Sequence, residues 1–161
     1  GFSVTTPAID SPTALTTLSE DERLLRQSVR EFAQQELTPR VRAMDEAARM
    51  DPTLLPRLFE MGLLGVEVPE RLGGGGGTFF HSVLVVEELS RVDPSVGVLV
   101  DVQNTLVVNA LLRWANDEQQ GTWLPRLAGD SIGAYALSEA GSGSDAFALT
   151  TRAVRDGDLP R

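Results

Sequence analysis

Four helix-start signals punctuate the first 130 residues and commit that stretch to a bundle of helices. Ser19-Glu20-Asp21-Glu22 and Asn116-Asp117-Glu118-Gln119 are capping boxes. In each, the first side chain takes an amide of the opening turn and the residue three places on reaches back. Asp51-Pro52 and Asp93-Pro94 set an acidic cap before a proline whose fixed φ suits a first helical turn. Apolar residues then recur at helical spacing, as in Leu24, Leu25, Val29, Phe32 and Ala33. The pattern predicts helices over about 19–37, 41–49, 53–61, 78–92, 94–115 and 117–128, with Gly62 as a C-terminal glycine.

The texture changes after residue 130. Ser131 to Leu137 and Leu149 to Arg155 read as strands, separated by a Ser/Gly loop from Ser138 to Asp145. Asp156-Gly157-Asp158 reads as a hairpin turn. The fold class expected is mainly α: an extended arm (1–18), a helical domain (19–130), and the first strands of an incomplete β-domain (131–161). Leu159-Pro160-Arg161 is not expected to supply a return strand, because proline cannot donate to a ladder.

Composition removes several chemistries. All 14 basic residues are arginine, so there is no lysine for a Schiff base or a phosphate-binding loop. There is no cysteine and one histidine, which leaves neither a thiol nucleophile nor a metal-ligand set. A net charge of −9 argues against nucleic acid as partner. The most apolar stretch, Ser95 to Trp114, carries Asp101, Gln103, Asn104 and Asn109, so a buried helix is expected rather than a membrane span.

Individual motifs have bland and sharp readings. Gly141-Ser142-Gly143-Ser144-Asp145-Ala146 matches G-x-G-x-x-A, but a β pattern follows where a dinucleotide fingerprint needs a helix. The loop is either a solvated turn or, through its amides and the hydroxyls of Ser138, Ser142 and Ser144, a ligand-contacting one. Gly73 to Gly77 lack a following lysine and are expected to form a mobile surface turn. His81 has no orienting partner in view, so a catalytic role is not expected. Glu87 and Glu88 cannot face each other on a helix, so a solvated carboxylate and a buried salt bridge are expected. Val98, Val102 and Leu106 form one stripe of the long helix, which is either packing core or the wall of a pocket. The polar residues Asp101, Gln103 and Asn104 on the same helix need partners if buried.

The stretch Tyr135-Ala136-Leu137-Ser138-Glu139-Ala140-Gly141-Ser142-Gly143-Ser144-Asp145 resembles the flavin-loop signature of the acyl-CoA dehydrogenases. Further segments agree in order: Phe32-Ala33 with Glu36-Leu37 and Pro39, Gly62-Leu63-Leu64-Gly65-Val66 with Gly73-Gly74, Glu87-Glu88-Leu89-Ser90, and Glu118-Gln119 with Trp123-Leu124-Pro125. The resemblance runs over about residues 17–158. Val102-Gln103-Asn104-Thr105-Leu106 and Phe147-Ala148-Leu149 are most similar to the short/branched-chain (2-methylbutyryl-CoA) members.

The resemblance implies a homotetrameric FAD enzyme with a helical, a β and a second helical domain. It implies α,β-dehydrogenation of an acyl-CoA thioester, with electron-transferring flavoprotein as redox partner, in fatty-acid or branched-chain amino-acid catabolism. By the same resemblance Tyr135, Ala136, Leu137, Ser138, Glu139, Ala140, Gly141, Ser142, Gly143 and Ser144 contact the flavin, with Ser138 near the isoalloxazine edge. Ser144 also contacts substrate, and Val98, Val102 and Leu106 wall the acyl pocket. The family's glutamate base lies beyond Arg161, so no residue is assigned as catalytic and none as a metal ligand. The isolated 161-residue chain is therefore expected to show no turnover and to bind FAD weakly or not at all. The alternative is an inactive truncated helical domain that acts only through protein interaction. The start lacks Met, and without a basic n-region or an apolar h-region it is not expected to be a secretory signal. It is compatible with a removed mitochondrial presequence and the matrix, or with a bacterial cytoplasm.

Overall fold

The structure, a computed structural model, describes residues 17–157 and 159–160. The arm expected over residues 1–18 lies outside the described residues up to position 16, as does Asp158 of the expected turn. Helix α1 (Glu20–Phe32) starts at the Ser19 box, in which Glu22 N–H donates to Ser19 Oγ at 3.2 Å and Ser19 N–H to Glu22 at 2.7 Å. It runs on through a wide turn, Ala33–Leu37, and stops before Pro39. Next come α2 (Val41–Ala47), α3 (Leu54–Glu60) and α4 (Phe79–Ser90). The long helix Pro94–Trp114 comprises α5 (Pro94–Asp101), a wide turn (Val102–Val108) and α6 (Asn109–Trp114). Helix α7 (Asp117–Gly129) opens at the Asn116 box and carries Pro125 internally.

Both α1 and α5 pack on α4, and α7 packs on α6 and α3. The first core contains Val29, Phe32, Leu58, Val85, Leu89 and Val100. The second, around α7, contains Val68, Val108, Leu124 and Leu127. As the charge pattern suggested, Glu87 stays at the surface with Arg91, while Glu88 is buried and takes a two-pronged bond from Arg30 at 2.8 and 2.9 Å. The Arg30 hydrogen bonds hold the Glu88 carboxyl below its ordinary range, against the opposing effect of burial. Helix α7 offers a simple stability test. A Cβ at Gly121 would touch nothing within 4 Å. Gly121→Ala is therefore expected to stabilise the chain by about 0.5–1 kcal/mol in chemical denaturation, since alanine loses less backbone freedom on folding.

The glycine run corrects the sequence reading. Gly75, Gly76 and Gly77 donate backbone N–H bonds to the carbonyls of Gly65, Val68 and Val66 at 2.9, 2.9 and 2.8 Å. Gly73 and Gly76 have φ of +86° and +61°, a region that disfavours any side chain. A Cβ on Gly74 would lie 2.2 Å from the Val68 carbonyl oxygen. The run is thus a backbone-paired turn packed on the 65–68 link, and glycine is needed for close approach as well as for turning. His81 serves the same corner: its Nδ1 accepts from Thr78 N–H at 2.9 Å and so helps cap α4.

The expected strands are corrected too. Residues 131–138 and 149–154 form no strand. The physical reason is pairing: a lone extended segment has no ladder to join. The described strands are β1 (Arg155–Asp156) and β2 (Leu159–Pro160), which pair antiparallel with Arg155 opposite Pro160. Leu159–Pro160 is therefore a two-residue return strand, which the proline argument had excluded.

One helix among the described residues, Pro94–Trp114, is long and apolar enough to cross a membrane by length and composition. Its middle carries Gln103 and Asn104, both fully buried and both bonded to neighbouring backbone, which is the behaviour of a core helix.

Candidate functional site

The long helix organises the site through two adjacent amides. Asn104 accepts from Val66 N–H at 2.9 Å and donates to the carbonyls of Leu63 and Val100 at 2.8 and 3.0 Å. Gln103 donates to the carbonyls of Leu127 and Ser131 at 2.8 and 3.0 Å and accepts from Gly133 N–H at 2.8 Å. Both lie in the wide turn, where Asn109 N–H reaches back five residues to the Asn104 carbonyl. Such turns inside helices often mark functional positions. Beside them Glu67 accepts from Ser82 Oγ at 2.8 Å and from Asn109 Nδ2 at 3.2 Å, tying the 65–68 link to α4 and α6.

From Gly133 the chain crosses the helix surface in extended form. Among the described residues, Ala134 to Ser138 have no hydrogen-bond partner, and their side chains are exposed. This segment borders a groove of about 570 Å³, whose walls include Val107 and Leu111 of the long helix, Trp123 and Arg126 of α7, and Ile132 and Tyr135. The Arg126 guanidinium lies over Trp123, 5.3 Å from the ring centroid. Tyr135 also borders a second groove with Leu106, Thr105 and Asn109. A larger cavity, about 890 Å³, lies between α2 and the start of α5 and holds none of the predicted site residues.

The Ser/Gly loop closes on itself. Glu139 and Ser142 exchange backbone bonds at 2.9 and 3.1 Å, and Ser142 Oγ donates to the Asp145 carbonyl at 2.7 Å. Ser142 is consequently buried, whereas Ser138 and Ser144 are exposed. The Glu139 carboxylate accepts from Thr150 N–H and Oγ1 and from Thr151 N–H at 2.9, 3.1 and 2.9 Å.

The fold can be set beside known proteins. The N-terminal domain of the acyl-CoA dehydrogenases matches residues 19–131. The chain belongs to the acyl-CoA dehydrogenase family. It is 46% identical over 144 residues to a probable short/branched chain specific acyl-CoA dehydrogenase of Dictyostelium discoideum, covering 89% of this chain and 35% of that protein. It is 42% identical over 144 residues to the mitochondrial short/branched chain specific acyl-CoA dehydrogenase of Bos taurus, with coverages of 89% and 33%. The crystal structure of a glutaryl-CoA dehydrogenase from Mycobacterium smegmatis in complex with FADH2 superposes with a TM-score of 0.79 at 35% identity, over 87% of this chain and 36% of that one. The chain spans about a third of the length of the curated relatives it matches.

The fold brings some predicted residues together and leaves others apart. Leu106 and Tyr135 border one groove. Val98 and Leu106 are 59% and 38% exposed, and Val102 is half-buried. Ser138, Gly141, Gly143 and Ser144 border neither groove. Sequence reasoning missed the Trp123–Arg126 wall, although their i,i+3 spacing on an evident helix was the available signal. It also missed the Glu139 hook, whose partners lie 11 and 12 residues away with no local pattern to announce them.

The hook gives a pH prediction. Bonds from Thr151 and the amides of Thr150 and Thr151 push the Glu139 carboxyl down to about 2 from its usual 4.5. A depressed carboxyl contributes stability above its unfolded value and loses it as pH falls toward the folded one. The amide resonances of Thr150 and Thr151 are therefore expected to stay constant down through pH 4.5, where a free carboxyl would already be half titrated, and to shift in a transition centred near pH 2. Glu139→Gln should abolish that transition.

Proposed function

We propose that this chain is the flavin- and substrate-contacting N-terminal portion of an FAD-dependent acyl-CoA dehydrogenase acting on a short or branched-chain acyl-CoA thioester. In this reading residues 19–130 form the helical domain, and residues 131–161 open the β-domain. The observation that carries the reading is the extended run Ala134 to Ser138, with unpaired backbone groups beside an aromatic-walled groove. Free amides and carbonyls can pair the polar edge of a flat heterocycle, and apolar walls suit its faces. The residues present therefore fit a flavin.

FAD, when bound, supplies the hydride acceptor for oxidation at the substrate's β-carbon. This chain's part is to bind and orient. Tyr135, Ala136, Leu137 and Ser138 offer backbone and hydroxyl bonds to the ring edge, and Glu139, Ala140, Gly141, Ser142, Gly143 and Ser144 continue the contact. Ser144 also meets the thioester-bearing ligand. Val98, Val102 and Leu106 exclude water from the acyl chain, and their branched volume favours a short or branched one. In this reading the base comes from another part of the enzyme, and the 161 residues alone are expected to give no turnover. The whole enzyme is read as a homotetramer that passes electrons to electron-transferring flavoprotein. Its compartment is the mitochondrial matrix, with a bacterial cytoplasm as the alternative.

The test is a hybrid in which the matched residues of this chain replace those of the Bos taurus relative. The purified hybrid is expected to be yellow and to reduce an electron acceptor faster with 2-methylbutyryl-CoA than with a straight long-chain acyl-CoA. A colourless, well-folded hybrid would refute the proposal.

A further inference from the structure

We infer that Gln103 is a positioning residue, which sets where the Ala134–Ser138 segment lies over the groove by holding its last anchored residue, Gly133. The inference rests on the flavin-contact reading above and adds a residue to it. Three bonds support it: Gln103 Nε2 to the Ser131 carbonyl (3.0 Å), Nε2 to the Leu127 carbonyl (2.8 Å), and Gly133 N–H to Gln103 Oε1 (2.8 Å). Ser131 is also tied to α7 through its own N–H, at 2.8 Å from the Arg126 carbonyl. Beyond Gly133 the next backbone bond is that between Glu139 and Ser142. Gln103 therefore sits at the proximal end of a five-residue span that the rest of the described chain does not hold.

The choice of residue argues for a directional role. Packing alone would be served by leucine, since a buried amide costs free energy unless its polar atoms are matched. Here the donor and the acceptor are both used, on the two sides of one short segment, at 1% exposure. The fit is also steric. A Cβ at Gly133 would lie 2.5 Å from Val107 Cγ1, one helical turn beyond Gln103, so the segment rests directly on the helix. Asn104, next in sequence, bonds the 63–66 link and not this segment. Each amide thus has its own target. A group that contacts ligand is only as well placed as what holds it.

Two variants test the inference. In the 161-residue chain, Gln103→Met removes the donor and acceptor at similar volume. Amide exchange of Gly133 is expected to accelerate at least about tenfold, while the Val66 amide, held by Asn104, keeps its rate. Gly133→Ala keeps Gln103 but lifts the segment from Val107, and it carries the test should Gln103→Met fail to fold. In the hybrid enzyme both variants are expected to lower kcat about tenfold, to move KM less than about twofold, and to alter the visible circular dichroism of the flavin. An unchanged Gly133 exchange rate in Gln103→Met overturns the anchor. Faster exchange with unaltered flavin spectrum and kcat overturns the positioning role. An unmutated hybrid without flavin instead defeats the functional reading, and the exchange ratio still decides whether Gln103 is the anchor.

Discussion

Asn104→Leu is expected to cost about 4 kcal/mol and to lower the thermal midpoint by roughly 10 °C. Leucine shares the branched four-heavy-atom skeleton of asparagine and is apolar, so a packing account alone would make the change nearly neutral. The loss comes from what leucine leaves behind. Val66 N–H and the Leu63 carbonyl both bond to the Asn104 side chain, and both belong to a link buried between helices. Each orphaned buried group costs about 1–3 kcal/mol. The Val100 carbonyl is less affected, because it sits within the helix that carries Asn104. Asn104→Asp is the informative companion. It retains an acceptor for Val66 N–H but faces the Leu63 carbonyl with a second oxygen, so it should also destabilise. Urea denaturation of both variants decides the point: an Asn104→Leu midpoint within error of wild type would show that Asn104 is a space-filler.

The helical framework was legible because its signals are local. Ser19, Asp93 and Asn116 cap where their spacing predicts, and Gly62 ends α3 at φ +69°. The split roles of Glu87 and Glu88 followed from helix geometry alone. The Tyr135–Asp145 motif marked the candidate site, yet its shape was not readable. Strand formation is a statement about partners, and residues 131–138 have none among the described residues, whatever their own β propensity. The need of Gln103 and Asn104 for partners was evident from their place in an apolar run. Which backbone groups they would meet was not, because those lie 24 to 41 residues away. Leu24 and Val83, which share the apolar spacing of their helices, are exposed at 56% and 41%. Periodicity identifies a helix before it identifies the face that is covered.

Gly74→Ala is expected to be nearly as damaging as Asn104→Leu, at about 3 kcal/mol, because the same link is struck from its other side. The added Cβ would lie 2.2 Å from the Val68 carbonyl oxygen and 2.3 Å from Val68 Cβ. Neither is the end of a flexible side chain, so relief requires the backbone of the 65–68 link to move. That link has little room. Its Gly65 faces Ala128 across a gap that would leave a Cβ only 2.7 Å from the Ala128 Cβ, and Val68 is fully buried in the second core. Gly73→Ala is the control. Its neighbourhood is empty, but its φ is +86°, so only the left-handed backbone opposes the change, at about 1 kcal/mol. A mobile surface turn would treat the two substitutions alike; a packed one separates them. Equal and small losses for Gly73→Ala and Gly74→Ala in thermal denaturation would restore the mobile-turn reading. A clear gap, with the Val66 and Gly75 amides exchanging faster only in Gly74→Ala, would show that the glycines close the scaffold on which the long helix and its two amides are aligned.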